Sequence, residues 1–145
     1  MAGNGQKFNE ISARVRPYDM WVGYHNHTSE FTEVEGEVPW DTLFSNTVDD
    51  VTMQLDIGHA LHGGGDPVAI LKRYPGRALT VHVRDYSATN DKALVGGGDV
   101  AWDEVFELCE AIGGTQWYIV EQQPSDYPPL ECVNRCLQAL REMGK

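Results

Sequence analysis

At 145 residues the chain has the length of one domain, and its 41% hydrophobic and 10% aromatic content is that of a globular protein. A chain of this size buries roughly 70% of its unfolded surface. The formal net charge of −11 argues against nucleic acid as a partner, because phosphate-backbone binders carry basic patches. No apolar run approaches the ~18 residues needed to span a bilayer, so no membrane partner is expected.

In chain order, residues 1–5 read as a disordered start. Phe8, Ile11 and Val15 have helical spacing, which predicts an amphipathic helix over 6–16 that Pro17 stops. A first strand follows at 21–24. The polar, acidic stretch 28–38 reads as a loop. Pro39 and Asp41 open a short helix carrying Trp40, Leu43 and Phe44 inward. Asp49-Asp50 make a turn before a second strand, 51–55.

Gly63-Gly64-Gly65-Asp66-Pro67 is a flexible loop and then a helix start. That helix carries Val68, Ile70, Leu71 and Tyr74 and ends at Pro75-Gly76. The third strand is 78–83. Residues 87–99 form a long loop, either a substrate lid or a solvated connector. A helix over 101–112 aligns Trp102, Val105, Phe106, Cys109 and Ile112 on one face, and Gly113-Gly114 caps it. The fourth strand is 116–120. Pro128-Pro129 introduce a last helix lined by Cys132, Val133, Cys136, Leu137 and Leu140. Trp21, Trp40, Trp102 and Trp117 read mainly as core.

Three cysteines form no disulfide framework. Cys132 and Cys136, one helical turn apart, read as core packing rather than metal ligands. The odd cysteine count, and the absence of an apolar secretion core in Met1-Ala2-Gly3-Asn4-Gly5, lead us to expect a cytoplasmic protein.

Strands alternating with helices predict an α/β fold with a parallel sheet and right-handed crossovers. In such folds chemistry collects at the carboxyl ends of the strands. Here each strand runs into polar groups: Tyr24-His25-Asn26-His27, Asp56-Ile57-Gly58-His59, His82-Val83-Arg84-Asp85 and Glu121-Gln122. One histidine at a strand end is usually a satisfied hydrogen-bonding group. Four consecutive strands ending this way point to a divalent transition metal such as Mn, Zn, Co or Fe. Asp56, His82 and Glu121 form the expected ligand set, each at the end of its strand. A fourth ligand is expected from His25, His27 or Glu30. His59 reads as a substrate contact and His62 as a loop residue. Arg84 either binds a substrate oxygen or phosphate or pairs with Asp85. The Gly96-Gly97-Gly98 run lacks the lysine of a phosphate loop.

The ordered set Gly23-Tyr24-His25-Asn26-His27, Gln54-Leu55-Asp56-Ile57-Gly58-His59-Ala60, Tyr74-Pro75-Gly76-Arg77, Val81-His82-Val83-Arg84-Asp85-Tyr86 and Trp117-Tyr118-Ile119-Val120-Glu121-Gln122 resembles the sugar phosphate isomerase/epimerase group. That group lies within the xylose-isomerase-like TIM-barrel superfamily, with inosose dehydratases and endonuclease IV-type enzymes. The resemblance implies the last four strand–helix units of a barrel, a half barrel within a single domain. A whole barrel needs about 250 residues. Completion is therefore expected from self-association, from a partner supplying the other half, or from the rest of a longer chain. The resemblance also implies a divalent metal on Asp56, His82 and Glu121, with His59 and Arg84 in the substrate pocket. Epimerases of the group place a second glutamate where this chain has His25-Asn26-His27.

The expected activity is metal-dependent isomerisation or epimerisation of a small sugar or polyol carbonyl substrate through an enediolate. A dehydratase-like lyase and a non-catalytic sugar-binding or assembly half barrel are the alternatives. Glu121, His59 and His25 are the candidate proton carriers. His27, Arg84 and Glu30 are the candidate substrate contacts.

Overall fold

In the computed structural model, which describes residues 2–122 and 125–145, helix α1 (Ala2–Val15) leads into a 3-10 turn (Arg16–Tyr18) and strand β1 (Val22–His25). A second 3-10 turn (Ser29–Phe31) and helix α2 (Pro39–Phe44) precede β2 (Val51–Asp56), α3 (Ile57–His62) and α4 (Pro67–Arg73). Then come β3 (Thr80–Val83), α5 (Trp102–Leu108) with a π turn (Cys109–Gly113), β4 (Trp117–Val120) and α6 (Pro129–Glu142). The four strands form one parallel sheet in the order β1-β2-β3-β4. Each crossover carries helix, as parallel connections require.

Strand alternation decides the two faces. Val22, Tyr24, Val51, Met53, Leu55, Val81, Val83, Tyr118 and Val120 meet the helices and form the core with Trp40, Phe44, Leu71, Val105 and Phe106. Gly23, His25, Thr52, Gln54, Thr80, His82, Trp117 and Ile119 take the opposite parity and the concave face. No described strand pairs with the outer edges of β1 and β4.

This face explains one expectation that fails. Trp21 and Trp117 are 65% and 66% exposed rather than core, because both sit on the concave parity of an edge strand. Trp40 and Trp102 are buried as expected. The first helix begins at Ala2 rather than Gln6; only Met1 of the start expected to be disordered lies outside the described residues. Gly5 makes this early start compatible with packing, since a Cβ there would lie 2.8 Å from the Asn46 carbonyl oxygen. The buried side of α1 holds Gly5 and Ser12 while Ile11 faces out, so small residues set this contact. Ile112 is exposed, because the π turn shifts the helical phase after Leu108. On α6 the buried stripe is Cys132, Cys136 and Leu140; Val133 and Leu137 lie one position off it. All three cysteines are free and buried. Among the described residues no helix is long and apolar enough to cross a membrane.

Candidate metal centre

The β2 terminus builds the centre. Asp56 closes the strand and caps α3, its Oδ1 accepting from His59 N at 2.7 Å. One residue thus ends a strand and starts a helix, and α3, six residues long, escapes a search for helical periodicity. Asn26 fixes this corner from the side. Its Oδ1 accepts from Asp56 N at 2.9 Å and its Nδ2 donates to Asp56 O at 3.1 Å, so a side-chain amide replaces one rung of the β1–β2 ladder. Gly58 lets α3 lie against β3's end, since a Cβ there would stand 2.7 Å from the Arg84 carbonyl oxygen. The sequence attaches no role to Asn26, whose only signal is its place between His25 and His27, and it reads Gly58 as a flexible turn, whereas Gly58 lies within α3.

The second Asp56 oxygen, Oδ2, is buried without a hydrogen-bond partner, and so is His25 Nδ1. Around them the concave parity delivers one donor from each strand. His25, Asp56, His82 and Glu121 each offer one nitrogen or oxygen atom, all within 4.8 Å of one another. His82 Nδ1 lies 2.7 Å from Glu121 Oε2 and 3.9 Å from Asp56 Oδ2. The His25 and His82 rings are 4.3 Å apart. A mixed nitrogen and oxygen set with two orphaned buried atoms fits a divalent transition metal.

The electrostatics agree with that geometry. Burial lifts the Asp56 carboxyl to about 7, against the lowering effect of the His59 N–H and Arg84; a nearby cation would offset this cost. Burial also raises Glu121, but its hydrogen bond to His82 and the His82 charge outweigh that and leave it below the ordinary carboxylate range. Burial, then the Arg84 charge, depress His59 to about 4. Burial, then His82, hold His25 low.

The remaining candidates divide. His59 Nδ1 is 3.0 Å from Thr28 Oγ1. His27 is exposed and lies beside both His25 and His59, ring centres 5.0 Å and 5.1 Å away. Arg84 shares the concave parity and reaches Glu121, Nη1 to Oε1 3.6 Å. Glu30 stays out of the cluster: Tyr24 Oη donates to its Oε1 at 2.8 Å and His27 N to its Oε2 at 2.9 Å. Asp85, on the opposite parity to Arg84, turns into its own loop. Its Oδ2 accepts from Trp102 Nε1 at 2.8 Å and Gly96 N at 2.7 Å. His62 stacks on Tyr86, ring centres 4.7 Å apart.

No protein-family model matches the chain. Superposition on a solved sugar phosphate isomerase/epimerase from Parabacteroides distasonis gives a TM-score of 0.85 at 24% identity, covering 97% of this chain and 51% of that one. The fold is half of a xylose isomerase-like barrel. A D-tagatose 3-epimerase-like structure matches the same half barrel with a TM-score of 0.64 at 18% identity, over 97% of this chain and 54% of its own. In sequence, the half barrel is 27% identical to the rhizopine catabolism protein MocC of Rhizobium meliloti, over 87% of this chain and 44% of that protein. It is 26% identical to the inosose dehydratase of Clostridium botulinum, over 92% of this chain and 51% of the relative. The chain spans about half the length of the curated relatives it matches.

Proposed function

We propose that this half barrel holds the metal of a sugar-processing enzyme that removes a proton next to the carbonyl of a small polyhydroxy substrate. One observation carries the reading: the convergence of His25, Asp56, His82 and Glu121 within 4.8 Å at the ends of four successive strands. A bound divalent ion would act as a Lewis acid, polarising the substrate carbonyl. The other tasks fall to side chains. Glu121, kept ionised by His82, accepts the proton. Arg84 orients that carboxylate from 3.6 Å. His59 stays neutral; Thr28 holds its Nδ1 and leaves the other ring nitrogen for a substrate hydroxyl. His27 borders the same space.

A second carboxylate on the far side of the substrate carbon is what two-base epimerisation requires. Among the described residues Glu30 is the candidate on this side of β1, and Tyr24 and His27 already engage it. This favours loss of water over inversion, in keeping with the name inosose dehydratase carried by several relatives. The test is incubation of metal-supplied protein with ketoses and inososes in heavy water, followed by proton NMR. Deuterium is expected to enter beside the carbonyl, with water lost from inososes. A fully metal-loaded protein that leaves every substrate proton in place would sink the catalytic reading in favour of a sugar-binding or assembly role.

In this reading a second copy closes the concave face, pairing the open edges of β1 and β4 and covering Trp21 and Trp117. The charge of −11 per chain opposes association, so added salt should strengthen it by screening. Sedimentation is expected to show a species of twice the chain mass that grows with ionic strength. A monomer at every concentration and salt level would reject self-completion.

A further inference from the structure

Two of the four donors at the strand ends hold each other. His82 Nδ1 and Glu121 Oε2 lie 2.7 Å apart, so that pair has a defined geometry without an ion. Among the described residues, the other two donor atoms, Asp56 Oδ2 and His25 Nδ1, have no hydrogen-bond partner, and their spacing is left to the backbone that carries them. We infer that Asn26 sets this spacing, as a positioning residue that holds His25 and Asp56 in ligand geometry before an ion arrives. The inference rests on the metal-centre reading proposed above and names the residue that prepares that centre.

Strand β1 ends at His25, opposite Gln54, while β2 runs on to Asp56, which pairs with His82 of β3. The main chain of β1 therefore stops short of Asp56, and a buried peptide group without a partner is costly. Asn26 fills that gap. It is fully buried; its Oδ1 accepts from Asp56 N at 2.9 Å and its Nδ2 donates to Asp56 O at 3.1 Å. A primary amide suits the task because it presents an acceptor and a donor side by side, as a peptide group does. An ionised aspartate would offer acceptors only, and glutamine would carry its amide one methylene too far. Nδ2 also lies 3.5 Å from His27 O, where the chain turns away from the sheet.

The bridge acts on both ligands at once. Asn26 follows His25 directly in the chain, so its amide pins the residue after one ligand to the backbone of the other. Asp56 is then held from three directions: by Asn26 on the β1 side, by its pairing with β3 on the other, and by His59 N, which donates to Oδ1 at 2.7 Å. With Oδ1 committed, Oδ2 points into the cluster, 3.9 Å from His82 Nδ1. A ligand fixed in this way has little freedom left to lose when an ion binds.

A residue that only supports the fold would behave differently. Arg77 is the comparison: it is buried and donates to the carbonyls of Phe44, Val48 and Val51, at the opposite end of the sheet from the cluster. Loss of either side chain strands buried backbone groups and lowers stability. Loss of Asn26 alone should also weaken the binding of metal by molecules that remain folded, because groups that orient a ligand are worth roughly 10–100-fold in metal affinity.

The experiment titrates Mn, Zn and Co into the metal-free wild-type chain and its Asn26→Ala and Arg77→Ala variants, at a temperature where circular dichroism shows each one folded. Asn26→Ala is expected to bind with a Kd raised roughly 10–100-fold, and Arg77→Ala with the wild-type Kd. A second measurement needs no variant. In the nitrogen-15-labelled wild type without metal, the Asp56 amide is expected to exchange with heavy water as slowly as the amides inside β2. An Asp56 amide that exchanges like an exposed one, an Asn26→Ala chain that binds as tightly as the wild type, or equal weakening in both variants overturns the inference and leaves the metal centre standing. A wild type that takes up none of the three ions rejects the metal-centre reading itself, and the inference falls with it.

Discussion

If the centre holds a divalent metal as proposed, Asp56→Asn is expected to abolish the stabilisation by that metal while leaving the metal-free fold as stable as before, or more so. The two effects come from different oxygens. Oδ1 caps α3 through His59 N, and asparagine caps a helix as well as aspartate does. Oδ2 is buried with no hydrogen-bond partner, and burial lifts the carboxyl to about 7, so removing its charge relieves a desolvation cost. With metal at a thousand times its Kd, the wild type should gain about 4 kcal/mol, roughly a 10 °C rise in Tm for a chain of this size. That rise should vanish in the variant. Thermal melts with and without Mn, Zn, Co and Fe, together with metal content per chain, decide the matter. A variant that keeps one metal per chain removes Asp56 from the ligand set. Asp56→Ala should lose the metal too, and in addition about 1 kcal/mol of helix cap.

Asp56, His82 and Glu121 were legible as a group because each closes a short apolar run, and strand termini of a parallel sheet converge by topology. The fourth donor was not. His25, His27 and Glu30 are equivalent in composition; β1 ends at His25 and leaves His27 exposed beyond it, while Tyr24 and the His27 N–H engage Glu30, and neither is visible before the chain has folded. Trp21 and Trp117 defeat hydrophobicity for a related reason. A tryptophan on the inner parity of an edge strand is core only when the barrel is closed, and no local pattern reports closure. Asp85 shows the opposite failure. Beside Arg84 it reads as an ion-pair partner, yet strand parity sends the two side chains to opposite faces. Its hydrogen-bond partners include Gly96, Val100 and Trp102, a set that exists only after the loop has folded.

Arg77→Ala is expected to cost about 4 kcal/mol of stability without changing metal affinity in the molecules that remain folded. The side chain is buried and bonds to four acceptors. Nε and Nη2 donate to Val51 O at 3.2 Å and 2.9 Å, Nη1 to Phe44 O at 3.0 Å, and Nη2 also to Val48 O at 3.0 Å and Thr47 Oγ1 at 2.6 Å. Its guanidinium lies over the Phe44 and Tyr74 rings, 5.0 Å and 5.9 Å from their centres. One group therefore ties the end of α2, the turn before β2 and the approach to β3. Truncation strands three carbonyls, each worth about 1–3 kcal/mol when left buried and unpaired, with part of the loss recovered by entering water. The result is a large share of the roughly 5–15 kcal/mol that holds a domain together. Arg77→Lys keeps the charge but not the fork, and about 2 kcal/mol should be lost. Urea denaturation measures both; a loss below about 1 kcal/mol for the alanine variant would mean that water replaces the guanidinium at little cost. The contrast with Asp56 follows from place. Arg77 serves the amino ends of the strands, where barrels keep their stability, and Asp56 stands at the carboxyl ends, where they keep their chemistry. A substitution at one end should therefore move one readout and leave the other where it was.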